Sequence, residues 1–176
     1  MADEDSFAAA SPYTDSARAR LAMAHEACEL AGLARFCVPV GAHELRPDGT
    51  ARSPGSLLAD AAGVLEAAHR FFEAAAVYER SGGASWQLIG DVLGVEAQSA
   101  RARFAAAESA FREELQGAGA VAGPGDGGWW RAYTAGNPLE AARDLDDWVL
   151  RHEDGEGGLG AAPVSGGLVR RDPSSK

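Results

Sequence analysis

Residues 85–104 read SWQLIGDVLGVEAQSARARF, and their spacing fits two helices joined by a tight turn. Ser85 is placed as an N-cap before Trp86, since a serine hydroxyl can accept a bond from an amide two or three residues further on. Ile89 is an apolar anchor one turn into the first helix, and the neighbouring Gly90 leaves room for a crossing helix. Leu93 closes that helix. Gly94 supplies a left-handed backbone that a Cβ would resist, and Val95 plugs the corner. Glu96 takes the cap position of the second helix, where Ala100 faces Gly90 and Phe104 packs the far end. Helices joined in this way cross at about 90–120°.

Outward from this stretch the chain reads as helices separated by Gly- and Pro-rich breaks. Upstream, residues 57–80 carry apolar positions at Leu58, Ala61, Leu65, Ala68, Phe72 and Ala75, widened by Leu57, Val64 and Phe71, and Gly82 and Gly83 end the run. Such a stripe is the face a helix buries, which predicts that Leu65 and Phe72 pack on Ile89 and Phe104. A shorter helical period runs from Ser16 to about Phe36 through Leu21, Ala24, Cys28 and Ala31, with Asp15 or Ser16 as its cap. Between the two helices, Pro39, Pro47, Pro54 and the Asp48-Gly49 pair force a loop, with a short extended piece around residues 38–40. Downstream, Asn137 and Pro138 open a last helix with Ala141, Leu145, Trp148 and Val149 on one face.

The fold class expected is therefore all-α: a helical bundle with a central helix-turn-helix and disordered termini. Residues 1–15 are expected to be disordered, 16–116 to form the helical domain, 117–128 a Gly-rich linker, 129–152 a C-terminal helical segment and 153–176 a disordered tail.

The pattern W-x-x-I-G-x-x-L-G-V-x-x-Q-x-A-x-x-R-F resembles a helix-turn-helix module of small actinobacterial proteins, in which a long helix often precedes the motif. The resemblance covers about 50 of the 176 residues. It implies that the first turn and outward residues of the second helix meet double-stranded DNA, in a small DNA-binding or transcription-regulatory protein with no enzymatic activity. The candidate contacts are Ser85, Gln87, Gln98, Ser99, Arg101 and Arg103. Gln98 and Arg103 match the module, but Glu96 and Ala97 stand where it usually has serine and arginine. A glutamate there repels phosphate, and without the arginine the commonest reader of guanine is missing. Glutamine can still pair with adenine and arginine with guanine. The competing reading is a degenerate helix-turn-helix that works as a protein-interaction adaptor or as an antagonist of another regulator.

Charge sharpens the question, because the chain has a formal net charge of -10 and no basic arm. Residues 85–112 balance Arg101, Arg103 and Arg112 against Asp91, Glu96 and Glu108. Since counterion release by basic residues supplies most non-specific affinity for DNA, a homodimer or a protein partner is expected to assist.

Other residue patterns point to no chemistry. There is no G-x-S-x-G, and the Gly-rich stretch lacks G-x4-G-K-[ST], so neither catalytic residue nor cofactor is expected. His25, Cys28, Cys37 and His43 have zinc-binding residue types without the tight Cys knuckle of a structural site, and no metal is expected. Asp144, Asp146 and Asp147 are read as a solvated helix face. Trp129 and Trp130 are read as packing the C-terminal segment, with docking of a partner as the alternative. No run of 18 apolar residues occurs and the N-terminus is acidic, so a cytoplasmic protein with no membrane contact is expected. The single lysine, asparagine and isoleucine reflect a high-G+C coding sequence rather than a function.

Overall fold

A computed structural model describes residues 12–117, 129–153 and 158–170. Among these residues the protein is all-α, with six α-helices, two short 3-10 turns and no strand beyond two isolated bridges. The helices are α1 (Asp15–Phe36), α2 (Ser56–Ser81), α3 (Trp86–Leu93), α4 (Ala97–Gln116), α5 (Trp129–Gly136) and α6 (Pro138–Arg151). The expected disorder of residues 1–11 and the linker at 118–128 lie outside the described residues, as do 154–157 and 171–176.

Each helix begins where the sequence offers a start. Thr14, one residue ahead of the expected cap, accepts a bond from the Ala17 amide at 3.1 Å. Pro138 opens α6 and explains why the C-terminal segment is two helices: proline disfavours helical backbone in the residue before it, and α5 ends at Gly136. Asn137 occupies the cap position of α6 without a side-chain capping bond. No strand forms around residues 38–40. The loop instead folds back on itself through a bridge between Leu45 and Ala51.

Helices α1 and α2 pack on each other along their length. The Glu26–Arg70 pair and the facing of Ala19 and Val77 across one cavity make them antiparallel. Two apolar clusters flank this pair. One joins Ala76 of α2 to Ile89, Ala100 and Phe104, with Phe72, Trp86 and Leu93 packed around them. The other joins Leu21, Ala24 and Cys28 of α1 to Ala142 and Leu145 of α6.

The expected stripe of α2 needs correction at its N-terminal half. Phe72 does meet Phe104, edge to face at 5.3 Å between ring centroids, but Leu65 is 57% and Leu58 75% exposed. The reason is reach: α3 and α4 cross α2 around Phe72 and Ala76, and nothing described covers the same stripe further back. Leu57, and Leu33, Phe36, Val38 and Val40 from α1 and its following loop, are exposed as well, so the loop end of the α1–α2 hairpin carries bare apolar side chains.

Residues 12–14 and 158–170, which fall within the segments expected to be disordered, are packed. Tyr13 is buried and bridges to Arg170, whose guanidinium lies 5.6 Å from its ring centre, and the Thr14 amide donates to Val169 O. Residues 158–170, which carry no helical period, dock on α6, with Val164 and Leu168 against the Leu21–Leu145 cluster. Their anchor is Asp146, buried rather than part of a solvated face. Its carboxylate accepts from the Val164 amide at 2.6 Å, the Ser165 amide at 3.0 Å and the Ser165 hydroxyl. Asp144 and Asp147 are exposed. Burial pulls the Asp146 carboxyl up, but these three bonds outweigh it and hold the group below the usual carboxylate range.

Candidate functional site

The segment from Ser85 to Phe104 folds as its residue types dictate. The Ser85 hydroxyl accepts from the Leu88 amide at 3.1 Å, α3 stops at Leu93, and Gly94 takes φ +67°. Glu96 stands at the N-cap of α4 with no side-chain capping bond. Gly90 is required for a different reason from the one its spacing suggests. A Cβ there would lie 2.6 Å from the Val95 carbonyl oxygen and 3.1 Å from the Ala97 nitrogen, so the backbone of the turn, not Ala100, demands glycine. Ala100 and Phe104 are buried beneath the turn. Val95 is partly exposed and seals the corner only in part.

The expected contact residues divide into two groups. Gln98, Ser99 and Arg101 are all exposed on the first turns of α4, alongside the exposed Ala102, and form one outward face. Ser85 and Gln87 are exposed at the start of α3, but both are engaged: Ser85 in its cap, and Gln87 through its amide nitrogen to Asp91 Oδ1 at 2.7 Å. Arg103 turns away. Its guanidinium carbon lies 4.8 Å from the Phe72 ring centre and 5.2 Å from that of Phe104, on the α2 side of the helix. Positions 101 and 103 flank the buried Ala100–Phe104 line on opposite sides, and the side that carries Arg103 is the one facing Phe72 of α2.

Two further arginines, one of them unremarked in the sequence, brace this unit. Arg80 lies 4.5 Å from the Trp86 ring centre, donates to the Ala84 carbonyl, and pairs with buried Glu108 of α4 at 3.4 Å. Arg112 closes on the same carboxylate. The i,i+4 spacing of Glu108 and Arg112 is visible in the sequence, whereas the Arg80 contact needs the tertiary fold. Of the three arginines between residues 85 and 112, Arg101 alone is left facing outward without an ion pair or ring among the described residues. Beside it the surface is apolar as well as polar, because Leu88, Val92 and Val95 are exposed, Val92 at 76%.

A second concentration of charge lies between α1, α2, α4 and α5. Glu26, almost wholly buried, pairs with Arg70 at 3.1 Å and with Arg131 at 3.3 Å, and Arg131 reaches on to Glu114 at 3.2 Å. Trp130 stacks on His25 with ring centres 4.0 Å apart, which accounts for one of the two tryptophans as packing. The Trp129 side chain lies outside the described residues. Burial lowers the His25 pKa, against the opposing pull of Glu29 and Glu26.

The possible zinc ligands are not brought together: among the described residues no three His, Cys, Asp or Glu side chains gather around a point. Burial, with Glu29 adding to it, pushes the Cys28 thiol up to about 11, so it remains protonated at neutral pH and is a poor ligand. No described helix is long and apolar enough to cross a membrane. Compared with known proteins, the chain matches no family, no curated protein and no solved structure.

Proposed function

We propose that the chain is a small, non-enzymatic helix-turn-helix protein of the kind found in actinobacteria, which binds double-stranded DNA and regulates transcription in the cytoplasm. The observation that carries this reading is the outward face of α4, where Gln98, Ser99 and Arg101 stand exposed on the first turns of a helix held by a glycine-dependent turn. Glutamine offers a donor and an acceptor matched to adenine, and arginine a fork matched to guanine. Ser85 supports phosphate contact at the start of α3. Arg103 is removed from the contact set because its charge is directed at the rings of Phe72 and Phe104.

With Arg101 the one arginine between residues 85 and 112 left without an ion pair or ring contact among the described residues, the proposed face of a monomer has little non-specific affinity. The reading therefore includes a homodimer on paired half-sites, joined at the apolar loop end of the α1–α2 hairpin. Leu33, Phe36, Val38, Val40, Leu57, Leu58 and Leu65 are exposed there, enough apolar surface to approach the ~800 Å² that each partner buries in a standard interface.

A second reading has its own observation. Leu88, Val92 and Val95 form an apolar strip on α3 and the turn, next to Glu96, and a surface of that kind suits a protein partner in place of a phosphate backbone. Selection of bound duplexes from a random pool, followed by fluorescence anisotropy of Arg101→Ala on the enriched sequence, separates the two. Loss of about 1–3 kcal/mol with relaxed preference at one base pair supports DNA reading. No enrichment at low salt favours the protein-binding surface.

A further inference from the structure

A groove of about 380 Å³ runs between α1, α5 and α6, within the size range of small-molecule sites. Its space follows from residue size. The α1 residues that line it recur at helical spacing from His25 through Cys28, Glu29 and Gly32 to Phe36, one face of the helix. Gly32 puts no side chain into that face, and a Cβ built there would meet nothing within 4 Å. Ala141 of α6 adds only a methyl group.

Aromatic side chains and carboxylates meet in this groove. Trp148 lies against His152 with ring centres 4.2 Å apart, and Tyr133 of α5 donates to Asp144 Oδ2 at 3.2 Å, so both rings are held in place. Trp130 is wall alone, because His25 and Arg131 already lie on its ring. Glu29 and Asp144 also line the groove, both exposed, and neither has an ion pair among the described residues. Arg151 is the guanidinium that lines it, and its Nε donates to the Asp147 carbonyl. His25, whose pKa burial lowers, and Cys28, pushed up to about 11, are uncharged at neutral pH. Two carboxylates thus face one guanidinium among indole and phenol rings.

We propose that this groove binds a small organic ammonium cation with an apolar body, its charge drawn to Glu29 and Asp144 and its body against Tyr133 and Trp148. Carboxylates and the electron-rich faces of aromatic rings both attract a cation, and an anion is attracted by neither. A neutral apolar ligand would cover the two carboxylates without compensating them. The recognition is placed on residues other than Leu33 and Phe36, so it is independent of pairing at the loop end of the hairpin and of DNA binding by α4.

Calorimetric titration of the full chain at neutral pH with 2-phenylethylammonium beside 2-phenylethanol, and with choline beside 3,3-dimethylbutan-1-ol, tests the proposal. The expected result is saturable binding of at least one cation, at least tenfold tighter than its alcohol. Glu29→Gln with Asp144→Asn should weaken that cation by tenfold or more with an unchanged circular dichroism spectrum. Glu113→Gln, at an exposed carboxylate of α4 that does not line the groove, should bind as the native chain does. Gly32→Leu, which fills the groove without touching charge, should abolish binding of cation and alcohol alike. The proposal is overturned if neither cation binds up to millimolar concentration, if cation and alcohol bind equally, or if the folded Glu29→Gln/Asp144→Asn or Gly32→Leu chain retains native affinity.

Discussion

Gly90 and Asp146 show how far single residues decide this molecule. At Gly90 any Cβ meets backbone atoms of the turn at 2.6–3.2 Å, and backbone cannot swing aside as a side-chain end can. Gly90→Ala should therefore destabilise the protein by about 1–3 kcal/mol or more, whereas Ala102→Ser, on the exposed side of α4, should leave the melting curve unchanged. Asp146 makes the opposite kind of contribution, gripping residues 164 and 165 through three hydrogen bonds. Asp146→Ala should cost about 1.5–3 kcal/mol, as loss of hydrogen bonds to a charged group does, and should expose residues 158–170 to protease. Its pKa is lowered in the folded state, so its stabilisation is complete above about pH 4 and falls away as pH drops through the lower folded value. Chemical denaturation at pH 7 and pH 3 checks this: the difference between native and Asp146→Asn stability should shrink at the lower pH. The importance of Gly90 was legible in the spacing, though not its cause. That of Asp146 was not, because on a helix of alternating acids nothing marks which one faces a segment lacking any period of its own.

Among the elements, the helices themselves were legible where an apolar stripe meets a glycine stop, as in α2, α3 and α4, with a capping serine as well at α3. What periodicity does not carry is the length over which a neighbour covers the stripe. Leu65 and Phe72 occupy the same face one heptad apart, yet Phe72 meets Phe104 and Leu65 is exposed, because the apolar contact of α3 and α4 with α2 centres on Phe72 and Ala76. Phe104→Ala, at a side chain only 1% exposed, should cost about 3–5 kcal/mol. Leu65→Ala should cost less than about 0.5 kcal/mol at concentrations where the chain is monomeric, and thermal denaturation of the pair there checks the boundary between covered and bare helix. Arg103 illustrates the same limit at the candidate interface. Its place in a motif pattern suggested contact with DNA, but two residues, about 200° of helical rotation, separate it from Arg101, and its guanidinium lies over Phe72 and Phe104. The proposed contact set is then Gln98, Ser99 and Arg101 on α4 with Ser85 and Gln87 at its edge, and the charges that organise the rest, Glu26 with Arg70 and Arg131, are distributed over three helices that no local pattern links.

On the scale of the whole molecule, an acidic chain presents two surfaces that differ from its average, the outward face of α4 and the bare end of the α1–α2 hairpin. In the proposed dimer, pairing at the hairpin would double the few DNA contacts each copy can make. Leu58→Glu with Leu65→Glu should then convert a dimer to a monomer in sedimentation equilibrium while leaving the helical content intact. With Arg101 as the exposed cation of α4, the salt dependence should be shallow, log K falling by about one unit per protomer for each tenfold rise in salt. The central claim is that the α3–α4 unit reads DNA, and anisotropy titration of the native chain and of Glu96→Ser/Ala97→Arg against selected and random duplexes at low salt tests it most directly. The account predicts sequence-selective binding by the native chain and tighter binding by the double variant, which removes a repelled charge and adds a guanine-pairing side chain. Failure of both proteins to bind any duplex would contradict it.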